Sequence, residues 1–313
     1  MSRSGPDSTR GTPRIALLPD WPEAADAVRS AGGLVVPVEE AEGLVWVDWS
    51  GPGNLRTVLE QHPQIRWVHL PGAGIESFID AGLMDDGRVW TCSKGAHSAL
   101  IAEHAFALAL AGMHSLQSSA RATSWQHARV TTLADQPVTI VGGGGIASAL
   151  IAFLAPFSAP VTVVRRNPEA VPGALRTLRT DALHEALPEA RLVMLALALT
   201  PETRHIIGAP ELALMHKRAW LVNVSRGGHV DTDALVDALE REAIAGAALD
   251  VTDPEPLPEG HRLWSLPNCI ITPHSAGTSG AVMRDLIARV HDNVQRLAAG
   301  EPLLGVVDLV AGY

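Results

Sequence analysis

The chain has 313 residues, 47% of them apolar and 19% charged, which supplies a sizeable core and too little charge for a disordered polymer. Its 24 Lys plus Arg stand against 34 Asp plus Glu, a net charge of −10 that no basic block offsets, so nucleic acid and anionic membrane are poor partners. Two cysteines, Cys92 and Cys269, cannot build a disulfide framework, the opening residues carry no apolar signal segment, and Glu103 and His104 interrupt the richest apolar stretch (99–113) short of a membrane span, so a cytoplasmic globular protein is expected.

At about 100 to 150 residues per domain, the length suggests two domains. From Arg14 onward short apolar runs alternate with amphipathic segments, as a parallel sheet wrapped by helices requires. Strands are expected at 15–18, 34–37, 44–47 and 67–70, with a helix at 21–31 and a turn at Ser50-Gly51-Pro52-Gly53. A long helix at 98–120 leads into a second series of six runs, 138–141, 161–164, 192–197, 220–224, 246–249 and 269–271, separated by helix-length intervals. That series reads as a larger doubly wound sheet. A last helix at about 279–299 would return the chain to the first domain, giving an α/β protein with one domain of 1–97 plus 280–313 and another of 98–279.

The run 138–141 leads directly into Gly142-Gly143-Gly144-Gly145-Ile146-Ala147 and then into an apolar helix. This is G-x-G-x-x-A in the strand, turn, helix context of a dinucleotide site. Gly142 permits the tight turn, Gly144 lets the backbone approach a pyrophosphate, Ala147 keeps the helix close to its strand, and the N–H groups near Gly145 and Ile146 face the phosphate charge. The next run ends in Arg165-Arg166, where an NAD site usually carries an acidic residue for the ribose 2′-OH. A guanidinium cannot accept that hydrogen bond but pairs with a 2′-phosphate, which favours NADP(H) and leaves NAD(H) as the alternative.

Three later segments place titratable groups at expected strand ends: Asn223-Val224-Ser225-Arg226-Gly227-Gly228, the stretch from Ala248 through Asp250 and Glu255 to Pro256, and Thr272-Pro273-His274-Ser275-Ala276-Gly277. Singly each is ordinary: a surface arginine, a solvated loop carboxylate, one of 13 histidines. Jointly, with Pro71-Gly72-Ala73-Gly74-Ile75-Glu76 and Leu199-Thr200-Pro201-Glu202-Thr203, the chain resembles the D-isomer-specific 2-hydroxyacid dehydrogenase family, glyoxylate/hydroxypyruvate reductases among them. The resemblance implies a flavodoxin-like substrate domain with a Rossmann domain inserted into it, and a homodimer. It also implies catalytic roles for Arg226, Glu255 and His274: Arg226 gripping the carboxylate of a small 2-keto acid, His274 protonating the keto oxygen, and Glu255 holding the imidazole. Ala73 and Gly74 would offer backbone N–H groups to the same carboxylate. Leu197, Ala198, Thr203 and Val224 would line the cofactor, and Asp250 would bind the nicotinamide carboxamide; no metal is implied.

Ala198 stands where many relatives carry proline, an expected loosening of that loop. Glu255 argues against the formate dehydrogenase branch, which carries glutamine there. A phosphoglycerate-type dehydrogenase without its regulatory domain and a dinucleotide-sensing binding protein of the corepressor type are the competing readings. Glu103 and His104 read as packing or capping groups, Trp46 and Trp49 as core or rim aromatics, and Lys94 and His97 as hinge contacts.

Overall fold

The computed structural model describes residues 11–84, 86–125, 127–277 and 280–309. The chain divides into two compact units, Met1–His97 with Gly280–Tyr313, and Ser98–Ser279. Residues 1–10 of the opening segment lie outside the described residues, as does Ser279, the expected first residue of the last helix.

In the first unit β1 (Arg14–Leu18), β2 (Leu34–Val35), β3 (Gly43–Trp46), β4 (Trp67–Leu70) and β5 (Val89–Cys92) form a parallel sheet of order β2-β1-β3-β4-β5. This is the flavodoxin-like doubly wound order. Its strands alternate between two buried faces. Ile15, Val45 and Trp67 pack with Ala24 and Val28 of the helix Pro22–Ser30 and with Leu286, Val290 and Val294 of the helix Gly280–Ala299. Leu44, Val68, Leu70 and Trp90 pack on the other side with Leu55 and Phe78. The sequence pattern did not single out β5. This strand is pinned from outside by the chain's end: Gly305 O accepts from Cys92 N at 2.8 Å and Val307 N donates to Trp90 O at 3.0 Å.

The second unit carries β6 (Val138–Val141), β7 (Val161–Arg165), β8 (Arg176–Arg179), β9 (Leu192–Leu195), β10 (Trp220–Asn223), β11 (Gly246–Leu249) and β12 (Cys269–Ile271). All run parallel, in the order β12-β11-β10-β9-β6-β7-β8. The six expected runs are all strands, and β8 adds a seventh. Its residues Arg-Thr-Leu-Arg are partly exposed on the sheet edge and carry no apolar run to reveal them. The chain order reverses between β6 and β9, the switch point at which open α/β sheets leave a crevice.

The strand expected at 34–37 is confined to Leu34–Val35, and two further boundaries shift for a visible reason. The helix over 98–120 is two helices, Ser98–Met113 and Leu116–Arg121, because Ser115 adopts a left-handed φ of 52°. That break is held by Ser115 Oγ donating to Arg129 O at 2.6 Å and Thr131 N donating to Met113 O at 2.8 Å. Strand β9 ends at Leu195 rather than 197, since the Ser225 hydroxyl takes over: it donates to Leu195 O at 2.8 Å and accepts from Leu197 N at 3.1 Å. Among the described residues no helix is long and apolar enough to cross a membrane.

Candidate active site

One row of aligned residues organises the second unit. Val164, Val141, Leu195, Asn223, Leu249 and Ile271 are successive Cα partners across β7, β6, β9, β10, β11 and β12. With strands about 4.8 Å apart, whatever follows each of these residues emerges along a single edge. The residues that follow are Arg165, Gly142, Ala196, Val224, Asp250 and Thr272. The glycine turn and the segments bearing Arg226, Asp250 and His274 therefore leave the sheet along the same edge.

At the switch point Gly142 has φ 116°, and a Cβ there would sit 2.0 Å from Ala196 O, so only glycine makes this turn. Gly144 caps the helix Gly145–Leu154 with no side-chain hydrogen bond, and a Cβ on it would meet nothing within 4 Å. The first-turn N–H groups, Gly145 and Ile146 among them, thus border open space, the arrangement a pyrophosphate needs. Ala147 is fully buried, packed toward the sheet. The Arg165 side chain lies across the turn, with its Cδ 2.6 Å from where a Gly143 Cβ would be. Arg166 is exposed nearby and lowers the Glu202 carboxyl pKa, a smaller effect than the Thr200 hydroxyl bonded to that carboxylate. The loop bearing Ala198, expected to be loose, is closed by Thr203, whose hydroxyl accepts from Thr200 N and donates to Ala198 O, each at 2.8 Å. Residues 142–147 and 197–203 fit a dinucleotide.

After β10 the fully buried Asn223 clamps the turn carrying Arg226: its Oδ1 accepts from Ser225 N at 3.0 Å and its Nδ2 donates to Arg226 O at 2.8 Å. Gly227 then presses on the loop after β11, since a Cβ on it would lie 1.9 Å from Thr252 O. On that loop Glu255 accepts from Thr252 N at 3.3 Å through Oε2, and its Oε1 lies 2.6 Å from His274 Nδ1. The two side chains are 40% and 49% exposed, so the pair stands at a surface that a small molecule can reach. His274 has a left-handed φ of 51°, held by its N–H donating to Asp250 O at 2.8 Å and to Thr272 O at 3.0 Å.

Asp250 is 2% exposed and both its oxygens are engaged by its own chain. Oδ1 accepts from Thr272 Oγ1 at 2.5 Å, Ser275 N at 2.8 Å and Ser275 Oγ at 3.3 Å, while Oδ2 accepts from Ala276 N at 3.1 Å. His104, from the helix Ser98–Met113, reaches the same carboxylate at 3.2 Å and Thr272 Oγ1 at 3.0 Å. Reading the sequence missed this role for His104, as well as those of Thr272, Ser275, Asn223 and Gly227. The polar residues just past each apolar run were the available signal. Ala73 and Gly74 lie in the first unit, on the turn after β4; Trp46 there is buried, donating from Nε1 to Gly51 O, while Trp49 is half exposed. His97 and Lys94 contact the helix Gly280–Ala299 within that unit: His97 Nδ1 lies 3.4 Å from Asp285 Oδ2, and Arg289 donates to Lys94 O at 2.9 Å.

Residues 104–276 match the family described as D-isomer specific 2-hydroxyacid dehydrogenase, NAD binding domain. The chain belongs to the D-isomer specific 2-hydroxyacid dehydrogenase family. Members are NAD(P)-dependent oxidoreductases, and this dehydrogenase is one of them. An uncharacterized protein in the proB 3′ region of Corynebacterium melassecola is 35% identical over 309 residues, 96% of this chain and 100% of the relative. The crystal structure of a D-isomer specific 2-hydroxyacid dehydrogenase from Xanthobacter autotrophicus, in complex with NADPH and MES, is similar at a TM-score of 0.82 and 28% identity, over 97% of this chain and 100% of that one. An NADPH-dependent glyoxylate/hydroxypyruvate reductase from Sinorhizobium meliloti, in complex with NADP and sulfate, is similar at 0.77 and 26%, again over 97% and 100%.

Proposed function

We propose that this dehydrogenase reduces a small 2-keto acid such as glyoxylate or hydroxypyruvate, with NADPH preferred over NADH. The observation that carries this reading is the 2.6 Å His274–Glu255 pair, emerging two strands away from Arg226 on the edge that also bears the glycine turn. Residues 98–279 take the dinucleotide, and the backbone N–H groups of Ala73 and Gly74 are assigned to the substrate carboxylate.

A bound nicotinamide supplies the hydride. Arg226 pairs with the substrate carboxylate and draws electron density toward the keto oxygen. With Nδ1 taken by Glu255, His274 presents Nε2, and this nitrogen hands its proton to the oxygen as negative charge develops there. The Glu255 carboxylate keeps the ring oriented and offsets the imidazolium charge. Leu197, Ala198, Thr203 and Val224 would border the cofactor, and Asp250 would bind the nicotinamide carboxamide. Arg165, lying over the glycine turn with Arg166 beside it, gives a 2′-phosphate two cationic partners, which supports NADPH; of the two solved relatives above, one is in complex with NADPH and the other with NADP.

The dehydrogenase acts in this reading as a cytoplasmic homodimer. In keeping with a dimer, Trp125 is 95% exposed, on a segment where Leu116 and Val130 are also exposed. The experiment is a panel of 2-keto acids offered with NADPH and with NADH, repeated on Arg165→Asp. Turnover of glyoxylate or hydroxypyruvate, with NADPH binding weakened far more than NADH binding by the substitution, is expected. No keto acid reduction, or equal loss for both cofactors, would remove the substrate or the cofactor assignment respectively.

A further inference from the structure

We propose that His104 is a positioning residue for His274, acting through Asp250 and Thr272; this rests on the reading of His274 as the proton donor. His274 occupies a left-handed conformation that a non-glycine residue holds only where its surroundings over-determine it. Here the determinant is Asp250. Its backbone carbonyl accepts from His274 N, and its carboxylate accepts from the two following amides, Ser275 N and Ala276 N. The turn that aims the imidazole is thus built on one buried carboxylate, and the position of that carboxylate sets the position of the ring.

His104 meets this carboxylate from outside the turn. Its Nε2 lies 3.2 Å from Asp250 Oδ1 and 3.0 Å from Thr272 Oγ1. A carboxylate only accepts, and the single proton of the Thr272 hydroxyl goes to Asp250 at 2.5 Å, so both partners demand a donor from His104. This assigns the proton to Nε2. His104 thereby fixes the Thr272 hydroxyl and the Asp250 oxygen from the rigid helix Ser98–Met113, which the turn itself cannot do. The imidazole of His104 touches neither of the reacting groups; it sets where His274 stands.

The test compares His104→Ala, which removes the donor, with His104→Gln, whose amide retains an N–H at similar reach. H104A should lower kcat about tenfold or more while leaving KM for the keto acid and the Kd for NADPH within about twofold. H104Q should recover most of the loss. Combining H104A with Thr272→Val should cost well short of the product of the two single losses, because both act through one network. In the cofactor-free protein the imidazole ¹⁵N spectrum, assigned by difference against H104Q, should show Nε2 protonated. A folded H104A with wild-type kcat, a Gln variant as impaired as Ala, multiplicative losses, or an unprotonated Nε2 would each overturn the inference. Full activity in His274→Ala would instead overturn the reading of His274 itself, so the two failures are distinguishable.

Discussion

Gly227→Ala probes the contact that holds the arginine turn against the loop bearing Glu255. Its Cβ would lie 1.9 Å from Thr252 O, 2.0 Å from Thr252 C and 2.5 Å from Asp253 N, all backbone atoms that no rotamer change can move. Restoring an ordinary carbon–oxygen contact of about 3.5 Å requires the two segments to part by roughly 1.5 Å. Neither yields alone: Asn223 grips the turn on one side, while Thr232 Oγ1 ties the loop by donating to Asp253 O at 2.7 Å on the other. Arg226 and the His274–Glu255 pair therefore lose register. A misplacement of about 1 Å costs on the order of a hundredfold in rate, so kcat/KM for keto acid reduction should fall by about that factor, while overpacking lowers stability by about 1–3 kcal/mol. Steady-state rates with NADPH, beside circular dichroism and a thermal melt, measure both. A folded G227A with kcat/KM within about threefold of wild type would show that the contact does not set the site.

Gly144→Ala makes the opposite case: its Cβ meets nothing within 4 Å, so the melting temperature should hold while NADPH affinity, read by fluorescence titration, falls. His274→Ala should reduce kcat about 10² or more with cofactor binding nearly intact, which stopped-flow and equilibrium titration separate. Burial holds His69 down to about 3 from 6.5, with the nearby Arg289 charge adding to the effect. Between those values the unfolded chain takes up a proton that the folded one refuses. Stability from this group is thus complete above about pH 6.5 and lost as pH falls toward 3, by about 1.4 kcal/mol per pH unit. His69→Gln should flatten that acid limb in denaturant melts run across the range, and an unchanged slope would count against burial as its cause.

What the sequence disclosed about this site depends on how far apart the cooperating residues stand. The glycine turn at 142–147 was readable because each small residue answers a local backbone demand, and the structure places the open side at Gly144 and the tight side at Gly142. Arg226, Glu255 and His274 entered as an ordered set through the family resemblance, and the structure adds that the three strands preceding them end in one row. The support beneath them was not readable. Asp250 draws its donors from Thr272, Ser275, Ala276 and His104, and nothing near Asp250 in the chain announces those partners. The same holds for β8, whose edge position relieves it of an apolar pattern, and for the helix break at Ser115, where the deciding partners, Arg129 and Thr131, lie beyond the next helix.

The distribution of burial within the site carries its own consequence. An ion pair as exposed as His274–Glu255 contributes little to folding, about as much as the surface pair of Arg262 with Glu240. Holding a histidine at positive φ meanwhile has a cost of order 1–3 kcal/mol. Stability alone would therefore favour a different residue or a different backbone at position 274. The chain instead places a fully engaged, buried carboxylate directly beneath that strained turn and leaves the imidazole facing outward. Strain kept at a reachable titratable group, with the supporting bonds buried behind it, is what a site requires when its donor must meet a small acid at a fixed angle. It also explains why the support must come from a rigid helix rather than from the loop, since a loop would move with the group it is meant to hold.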